Sequence, residues 1–122
     1  MCETEKDEAR EYRISMEIIV DAYDAEEQAM GWYYYLEDKI KFPFPAQCVR
    51  TMARSPLHEG ERVTVIQMTP ENESLHEMIV EIQWQDRKLG VPLVQLHPLS
   101  KDKKTKEAVA DWHYWVARGY IL

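Results

Sequence analysis

The sequence has few of the residues from which common catalytic and metal sites are built. Its four glycines stand at positions 31, 60, 90 and 119, too far apart to form a phosphate-binding loop. The Gly-x-Ser-x-Gly motif of serine hydrolases does not occur. Two cysteines, Cys2 and Cys48, and four histidines lack the ligand spacing of a zinc site. We therefore expect a protein that is neither an enzyme nor a zinc protein.

Long apolar segments are also missing. No run of apolar residues approaches the length of about 20 that a membrane-spanning helix needs. Residues 1–11 are strongly charged, whereas a secretory signal requires an apolar stretch. Two distant cysteines in such a chain are expected to be reduced thiols. These absences predict a soluble cytoplasmic protein.

Basic residues are scarce in the N-terminal third of the chain. Residues 1–41 contain twelve acids and five bases, a net charge of −7, whereas residues 42–122 contain ten of each. This distribution argues against nucleic acid or an anionic membrane as a partner, since phosphates bind basic surfaces. It favours a cation or a basic protein surface. Alternatively, the acids only keep a helix soluble.

Apolar and aromatic residues, in contrast, are plentiful enough for a core. Hydrophobic residues make up 45% of the 122 positions, a size that suits one domain. Helical spacing over residues 8–22 predicts an amphipathic helix that buries Tyr12, Met16, Ile19 and Tyr23.

A second helix is predicted from residue 24 to about residue 41. Asp24 has the character of an N-cap residue, with Glu27 at the third helical position. Its main apolar stripe is predicted to comprise Ala29, Tyr33, Leu36 and Ile40. Since Trp32, Tyr34 and Tyr35 fall outside that stripe, the helix either packs on more than one side or exposes aromatic surface.

The middle of the chain is predicted to form short strands. They are expected over residues 47–53, 62–68, 78–84 and 89–96, with a tight turn at residues 85–88. Strict alternation from Met78 to Trp84 is the clearest strand signal. Short strands joined by short turns favour a small, strongly bent barrel over a flat sheet. The predicted fold is therefore α+β, an SH3-like β-barrel of about five strands with two helices before it and one after it.

The last helix is predicted over residues 102–118, with Gly119 at its C-terminal end. Its buried stripe is predicted to contain Ala108, Val109, Trp112, Trp115 and Val116. We expect residues 1–122 to form a single domain. Its acidic helical part, residues 1–41, would pack on a barrel of residues 45–99 and on this last helix.

Acidic residues are the remaining candidates for function. Glu37 and Asp38 lie in the last turn of the second helix, where the helix dipole disfavours carboxylates and free carbonyl groups gather. A hard cation such as Ca²⁺ prefers such oxygen ligands. Neutralisation by Lys39 or Lys41 is the alternative. Glu17 and Asp21, four residues apart on the first helix, form a second acidic pair.

Five stretches of the sequence together form an unusual pattern: EIIVDAY at 17–23, MGWYYYLEDK at 30–39, FPF at 42–44, VPL at 91–93 and DWHYW at 111–115. They resemble the CcbP-type calcium-binding proteins of cyanobacteria and other bacteria. The resemblance implies a protein that binds Ca²⁺ through surface carboxylates, without an EF-hand, and acts in calcium buffering or signalling. It points to Glu37 and Asp38 as metal ligands, and then to Asp21.

A different class of function stays open from the sequence. If Trp32, Tyr34 and Tyr35 were exposed, or if Trp84 lined a groove of the barrel, the chain would suit a protein-interaction module. Small barrels commonly bind proline-rich peptides on aromatic surfaces.

Overall fold

The computed structural model describes residues 7–20, 22, 24–52, 55–69 and 77–118. These residues form three helices and a five-stranded antiparallel sheet, an α+β fold as predicted. The helices are α1 (Glu8–Arg13), which continues as a π-helical turn (Ile14–Ile18), α2 (Ala25–Lys39) and α3 (Lys103–Ala117). The strands are β1 (Phe44–Cys48), β2 (Arg62–Met68), β3 (Ile79–Trp84), β4 (Arg87–Pro92) and β5 (Leu96–Pro98).

The strand order in the sheet is β4-β3-β2-β1-β5. Strands β1 to β4 form an antiparallel meander, and β5 returns to pair with the free edge of β1. A register shift between Val65 and Gln67 marks a bulge in the β2–β3 pair. Because bulges bend strands, the sheet curves as a small barrel-like fold requires. The fold class predicted from the strand pattern is confirmed.

Two boundaries in the sheet differ from the prediction. β1 begins at Phe44 and ends at Cys48, earlier than the predicted strand over 47–53. The predicted strand over 89–96 is interrupted after Pro92 by a 3₁₀ turn, Leu93–Gln95, before β5. The interruption has a topological reason, since β4 and β5 lie at opposite ends of the strand order and the chain must turn sharply between them.

Helix α2 has the predicted N-cap and apolar stripe. The backbone N–H of Glu27 donates to Asp24 Oδ1 at 2.8 Å. All four stripe residues, Ala29, Tyr33, Leu36 and Ile40, are buried. Trp32 is fully buried as well, so the helix packs on more than one side, while Tyr34 is exposed and Tyr35 half-buried.

Trp32 is buried because α2 packs against α3 as well as against the sheet. Its ring lies edge-on to Trp112, with centroids 5.1 Å apart, and 5.6 Å from the ring of Trp115. The hydroxyl of Tyr33, on the neighbouring face of the helix, donates to the backbone carbonyl of Thr69 at 2.7 Å. Helix α2 therefore lies between α3 and the β2 side of the sheet.

The predicted apolar face of the first helix is wrong at Tyr12 and Met16, which are 69% and 53% exposed, and Ile14 and Ile18 are buried in their place. Ile19, a third residue of the predicted face, is partly buried against the core. The fourth, Tyr23, lies outside the described residues. The helix is oriented by a polar contact that hydrophobic spacing does not register. The guanidinium of Arg13, next to Ile14, binds the buried carboxylate of Asp111 on α3.

Helix α3 begins where the sequence predicts, and its N-cap is Asp102, whose side chain accepts hydrogen bonds from the backbone N–H and the hydroxyl of Thr105. Ala108, Val109, Trp112 and Trp115 are buried as predicted, whereas Val116 is only partly buried. Residue 119, the predicted C-terminal glycine, lies outside the described residues. Within the described ranges, no helix has both the length and the apolar character that a membrane-spanning segment requires.

Candidate cation site

A cleft of about 400 Å³ separates the π-helical turn from α2. It is lined by Glu17, Ile18, Gly31, Tyr34, Tyr35, Asp38 and Lys39. Two of these residues are acids: Glu17 lies on the wall formed by the π-helical turn, and Asp38 lies on the wall formed by α2. The cleft thus brings together one member of each acidic pair that the sequence singles out.

Gly31 allows the two walls of the cleft to approach closely. A Cβ atom at this position would lie 2.3 Å from the backbone carbonyl oxygen of Ile18. Real Cβ atoms are essentially never found so close to a backbone atom, so only glycine is accommodated without a shift of one wall. The close approach also brings a main-chain carbonyl group against α2 at the edge of the cleft.

The oxygen atoms of the cleft walls are of the kind that a hard cation prefers. Glu17 and Asp38 contribute carboxylates, and the backbone carbonyl oxygen of Ile18 lies against Gly31 where the two walls meet. Ca²⁺ takes six to eight oxygen ligands from carboxylates, carbonyls and water. Neither cysteine nor histidine is among the described residues that line the cleft, and carboxylates suit a hard cation better than a thiolate- or imidazole-binding metal.

Asp38 is highly accessible, and its ion pair with Lys39 is weak. Its side chain is 77% exposed, and its Oδ2 lies 3.7 Å from Nζ of the adjacent Lys39. An exposed ion pair of this length contributes about 0–1 kcal/mol to stability. Lys39 therefore partly neutralises Asp38, as the alternative interpretation of the sequence expected, without sequestering its carboxylate from a cation.

The three predicted ligands are placed differently by the structure. Glu37 and Asp38 lie in the last turn of α2, and both are exposed, but only Asp38 is among the residues that line the cleft. Asp21 lies outside the described residues. Glu17, which precedes Asp21 by one helical turn in the sequence, lines the cleft although it was not selected as a ligand.

The described residues contain no cluster of three or more Asp, Glu, His or Cys side chains able to hold a metal ion. A cation in the cleft would therefore rely on two carboxylates, backbone oxygens and water, with any contribution from Asp21 additional to these. Sequence reasoning had one signal for Glu17, its spacing of four from Asp21. It had none for the backbone approach at Gly31.

A carboxylate outside the cleft, that of Asp111 on α3, is fully buried and has several partners. Arg13 Nη2 donates to its Oδ1 at 2.6 Å and Arg13 Nε donates to its Oδ2 at 3.2 Å. Arg10 Nε lies 3.4 Å from Oδ1, and the Tyr35 hydroxyl donates to Oδ2 at 2.8 Å. Such a fully engaged carboxylate fixes the helices and offers no open position to a metal ion.

Tyr35 connects the cleft with the buried Asp111, since it lines the cleft and its hydroxyl donates to the Asp111 carboxylate. Burial raises the pKa of Tyr35 above that of a free tyrosine, and its hydrogen bond to Asp111 raises it further. The hydrogen bond to Asp111 likewise raises the pKa of Arg13, against the opposing effect of burial. The pair therefore stays as a neutral phenol and a charged guanidinium at physiological pH.

The cysteine and histidines of the described residues do not form a reactive site. Cys48 is buried, and its Sγ lies 3.0 Å from the backbone carbonyl oxygen of Arg50. His113 Nε2 lies 3.3 Å from the backbone oxygen of Leu93, and burial lowers the pKa of His113. Cys2 and His76 lie outside the described residues.

Comparisons with known proteins agree with this chemistry. The sequence profile of a family described as calcium binding, CcbP, matches residues 12–116. The crystal structure of Anabaena CcbP is 44% identical in sequence, with a TM-score of 0.88 over 100% of both chains. A calcium-binding protein in its calcium-binding form is also 44% identical, with a TM-score of 0.85 over 98% of both chains. Among curated protein sequences, none matches this chain.

The matched range contains both walls of the cleft as well as the strands and the third helix. The resemblance inferred from the tyrosine-rich stretch and the neighbouring motifs is confirmed over most of the chain. This protein belongs to the CcbP family of calcium-binding proteins.

Proposed function

We propose that the protein binds Ca²⁺ in the cleft between the π-helical turn and α2. The observation that carries the proposal is the convergence of Glu17 and Asp38, from two separate elements, on a cleft whose walls meet at the backbone carbonyl of Ile18. The weak pairing of Asp38 with Lys39 supports it, since a divalent cation competes readily with an exposed ammonium group. Asp21 and Glu37 are the further ligands that we propose.

The proposed role is non-enzymatic buffering or sensing of Ca²⁺ in the cytoplasm. The electrostatic field of the acidic N-terminal third supports this role, because a net charge of −7 over residues 1–41 attracts cations. Membership of a calcium-binding family supports the choice of ion. An SH3-like barrel would serve in this role as a rigid base for the helices.

The competing proposal, a peptide-binding aromatic surface, has less support. Trp32 is fully buried and Tyr35 is engaged with Asp111, so of the three helix aromatics only Tyr34 is exposed. Trp84 is half-buried. Helix α2 therefore exposes one aromatic ring in place of the three that a peptide-binding surface there would use.

Titration with Ca²⁺ tests the proposal. A ligand that binds only the folded state adds about 2.7 kcal/mol at a hundred times its Kd. For a chain of this length, we expect the Tm of the chelator-treated protein to rise by about 10 °C. Mg²⁺ is the control and should raise the Tm less, because it demands octahedral geometry and retains its water. Identical melting curves in chelator and in millimolar Ca²⁺, with no heat of binding by calorimetry, would contradict the proposal.

A further inference from the structure

A second pocket lies between α3 and β5 and shares no lining residue with the cation cleft. Its volume is about 570 Å³, inside the range of roughly 300–1,000 Å³ that is usual for small-molecule sites. Val109, Ala110 and Ala117 of α3 and Pro98 of β5 give it an apolar wall. The pocket therefore has the size and the lining of a site for a small, largely apolar molecule.

Three of the polar residues that line this pocket, His97, Lys106 and His113, carry nitrogen atoms, and a fourth, Tyr114, carries a hydroxyl. Among the described lining residues there is no acid. His113 lies against the backbone oxygen of Leu93, and its lowered pKa keeps the ring neutral at physiological pH. The fixed positive charge is therefore that of Lys106, an exposed residue on α3.

The surrounding charge also differs from that of the cation cleft. Residues 97–118 contain five bases and three acids, whereas residues 1–41 have a net charge of −7. The charge of residues 97–118 therefore favours an anion over a cation in this pocket. Among small ligands, an anion with an apolar body matches both the wall and the charge.

We propose that this pocket binds a small apolar molecule bearing one carboxylate. Its apolar body would lie on the wall formed by Val109 and Ala110, and its carboxylate would pair with the ammonium group of Lys106. This site is distinct from the proposed Ca²⁺ site, since the two share none of their described lining residues.

The probe is 4-phenylbutyrate, titrated into the full chain in the presence of chelator and followed by calorimetry and by amide chemical shifts. The neutral control is 4-phenylbutanamide, which has the same shape without the charge. We expect saturable binding of the acid with a Kd on the order of 1 mM or tighter, the value that ligand efficiency allows for so small a molecule. The amide should bind at least threefold more weakly, and shifts should concentrate in β5 and α3.

Three variants locate the site. Lys106→Gln should weaken binding of the acid at least threefold and leave the amide unchanged. Lys103→Gln is the matched control, because it removes the same charge from an exposed position of the same helix outside the pocket, and it should change neither affinity. Ala110→Phe should fill the pocket and weaken both probes at least tenfold, with its Tm reported to establish that it folds.

Several results would overturn the proposal. They are absence of saturable binding of the acid, equal binding of acid and amide, equal effects of Lys106→Gln and Lys103→Gln, or shifts confined to residues outside β5 and α3. If Ala110→Phe does not fold, the two lysine variants and the amide still decide the outcome. Since every titration contains chelator, failure here is separate from failure of the Ca²⁺ proposal.

Discussion

Asp38 and Asp111 both lie in helices, yet their carboxylates have opposite environments. Asp111 is fully buried and receives hydrogen bonds from Arg13 and Tyr35, with Arg10 close to its other side. Asp38 is 77% exposed, with Lys39 at 3.7 Å. The comparison separates a carboxylate that holds the fold together from one that is accessible to a ligand.

The difference follows from the energetics of charge in the two environments. Removing a carboxylate from water costs several kcal/mol, which only close partners and hydrogen bonds offset. Asp111 therefore requires its arginines, and the arginines in turn orient the first helix. Asp38 retains its hydration, so it carries no such requirement. Neutralising each carboxylate in turn should therefore give very different effects.

The largest effect is expected from Asp111→Ala. This change leaves Arg13 without the acceptor for its two hydrogen bonds and Tyr35 without the acceptor for one. Loss of one partner of a buried pair typically costs about 3–5 kcal/mol, and we expect a loss in that range by urea unfolding. Glu107→Gln is the control, since Glu107 is an exposed partner of the same Arg13 at 3.8 Å. If Asp111→Ala lowered the free energy of unfolding by less than about 1 kcal/mol, as little as the control does, the buried Asp111 carboxylate would not be a main contributor to stability.

A smaller loss is expected from Gly31→Ala. In an ordinary helix this change stabilises by about 0.5–1 kcal/mol, but here the new Cβ would meet the Ile18 carbonyl oxygen at 2.3 Å. Overpacking of this kind costs about 1–3 kcal/mol. Because the two walls of the cleft must separate, calorimetry should also show weaker Ca²⁺ binding.

Gly90→Ala serves as the comparison for the Gly31 variant. The nearest atoms to a Cβ at Gly90 are side-chain methyl groups of Ile79 and Thr69, at 3.3 and 3.5 Å, which move more easily than backbone. We expect a smaller loss of stability and unchanged Ca²⁺ binding. If Gly31→Ala proved as stable as the parent and bound Ca²⁺ equally well, the close approach of the walls would have no role in the site.

Local patterns were sufficient to predict much of the fold. β2 has the predicted bounds, residues 62–68, Asp24 is the N-cap of α2 as predicted, and α3 begins next to residue 102, where its start was predicted. These features depend on side-chain alternation and on capping chemistry within a few residues. The orientation of the first helix depends instead on Arg13 meeting Asp111, 98 residues away in the sequence. No local pattern contains that information, and hydrophobic spacing selected the wrong face.

The candidate site was only partly predictable for the same reason. Asp38 is recognisable because a helix C-terminus disfavours a carboxylate, a property of its own helix. Glu17 enters the cleft because the π-helical turn packs on Gly31, a contact between two elements. A sequence pattern identifies acids suited to a cation, whereas only the packing decides which of them share one cleft.

The smallest effect on stability, and the most informative, is expected from Asp38→Asn. The change keeps the shape of the side chain and removes one charge near the negative end of the α2 dipole. It should stabilise the metal-free protein by a few tenths of a kcal/mol, up to about 1. The same change should weaken Ca²⁺ binding at least tenfold, about 1.4 kcal/mol, because the cation loses an anionic oxygen.

Glu26→Gln is the matched control for this variant, because Glu26 is an exposed acid in the first turn of the same helix. There the dipole favours negative charge, so neutralisation should lower the stability of the metal-free protein. Both variants reduce the net charge equally, so any general field effect on Ca²⁺ binding is common to the two. Calcium affinity must therefore fall much further in Asp38→Asn than in Glu26→Gln. If Asp38→Asn were instead less stable than its parent and kept its affinity for Ca²⁺, the only role of Asp38 would be its ion pair with Lys39. Asp38 would then be a structural carboxylate, as Asp111 is.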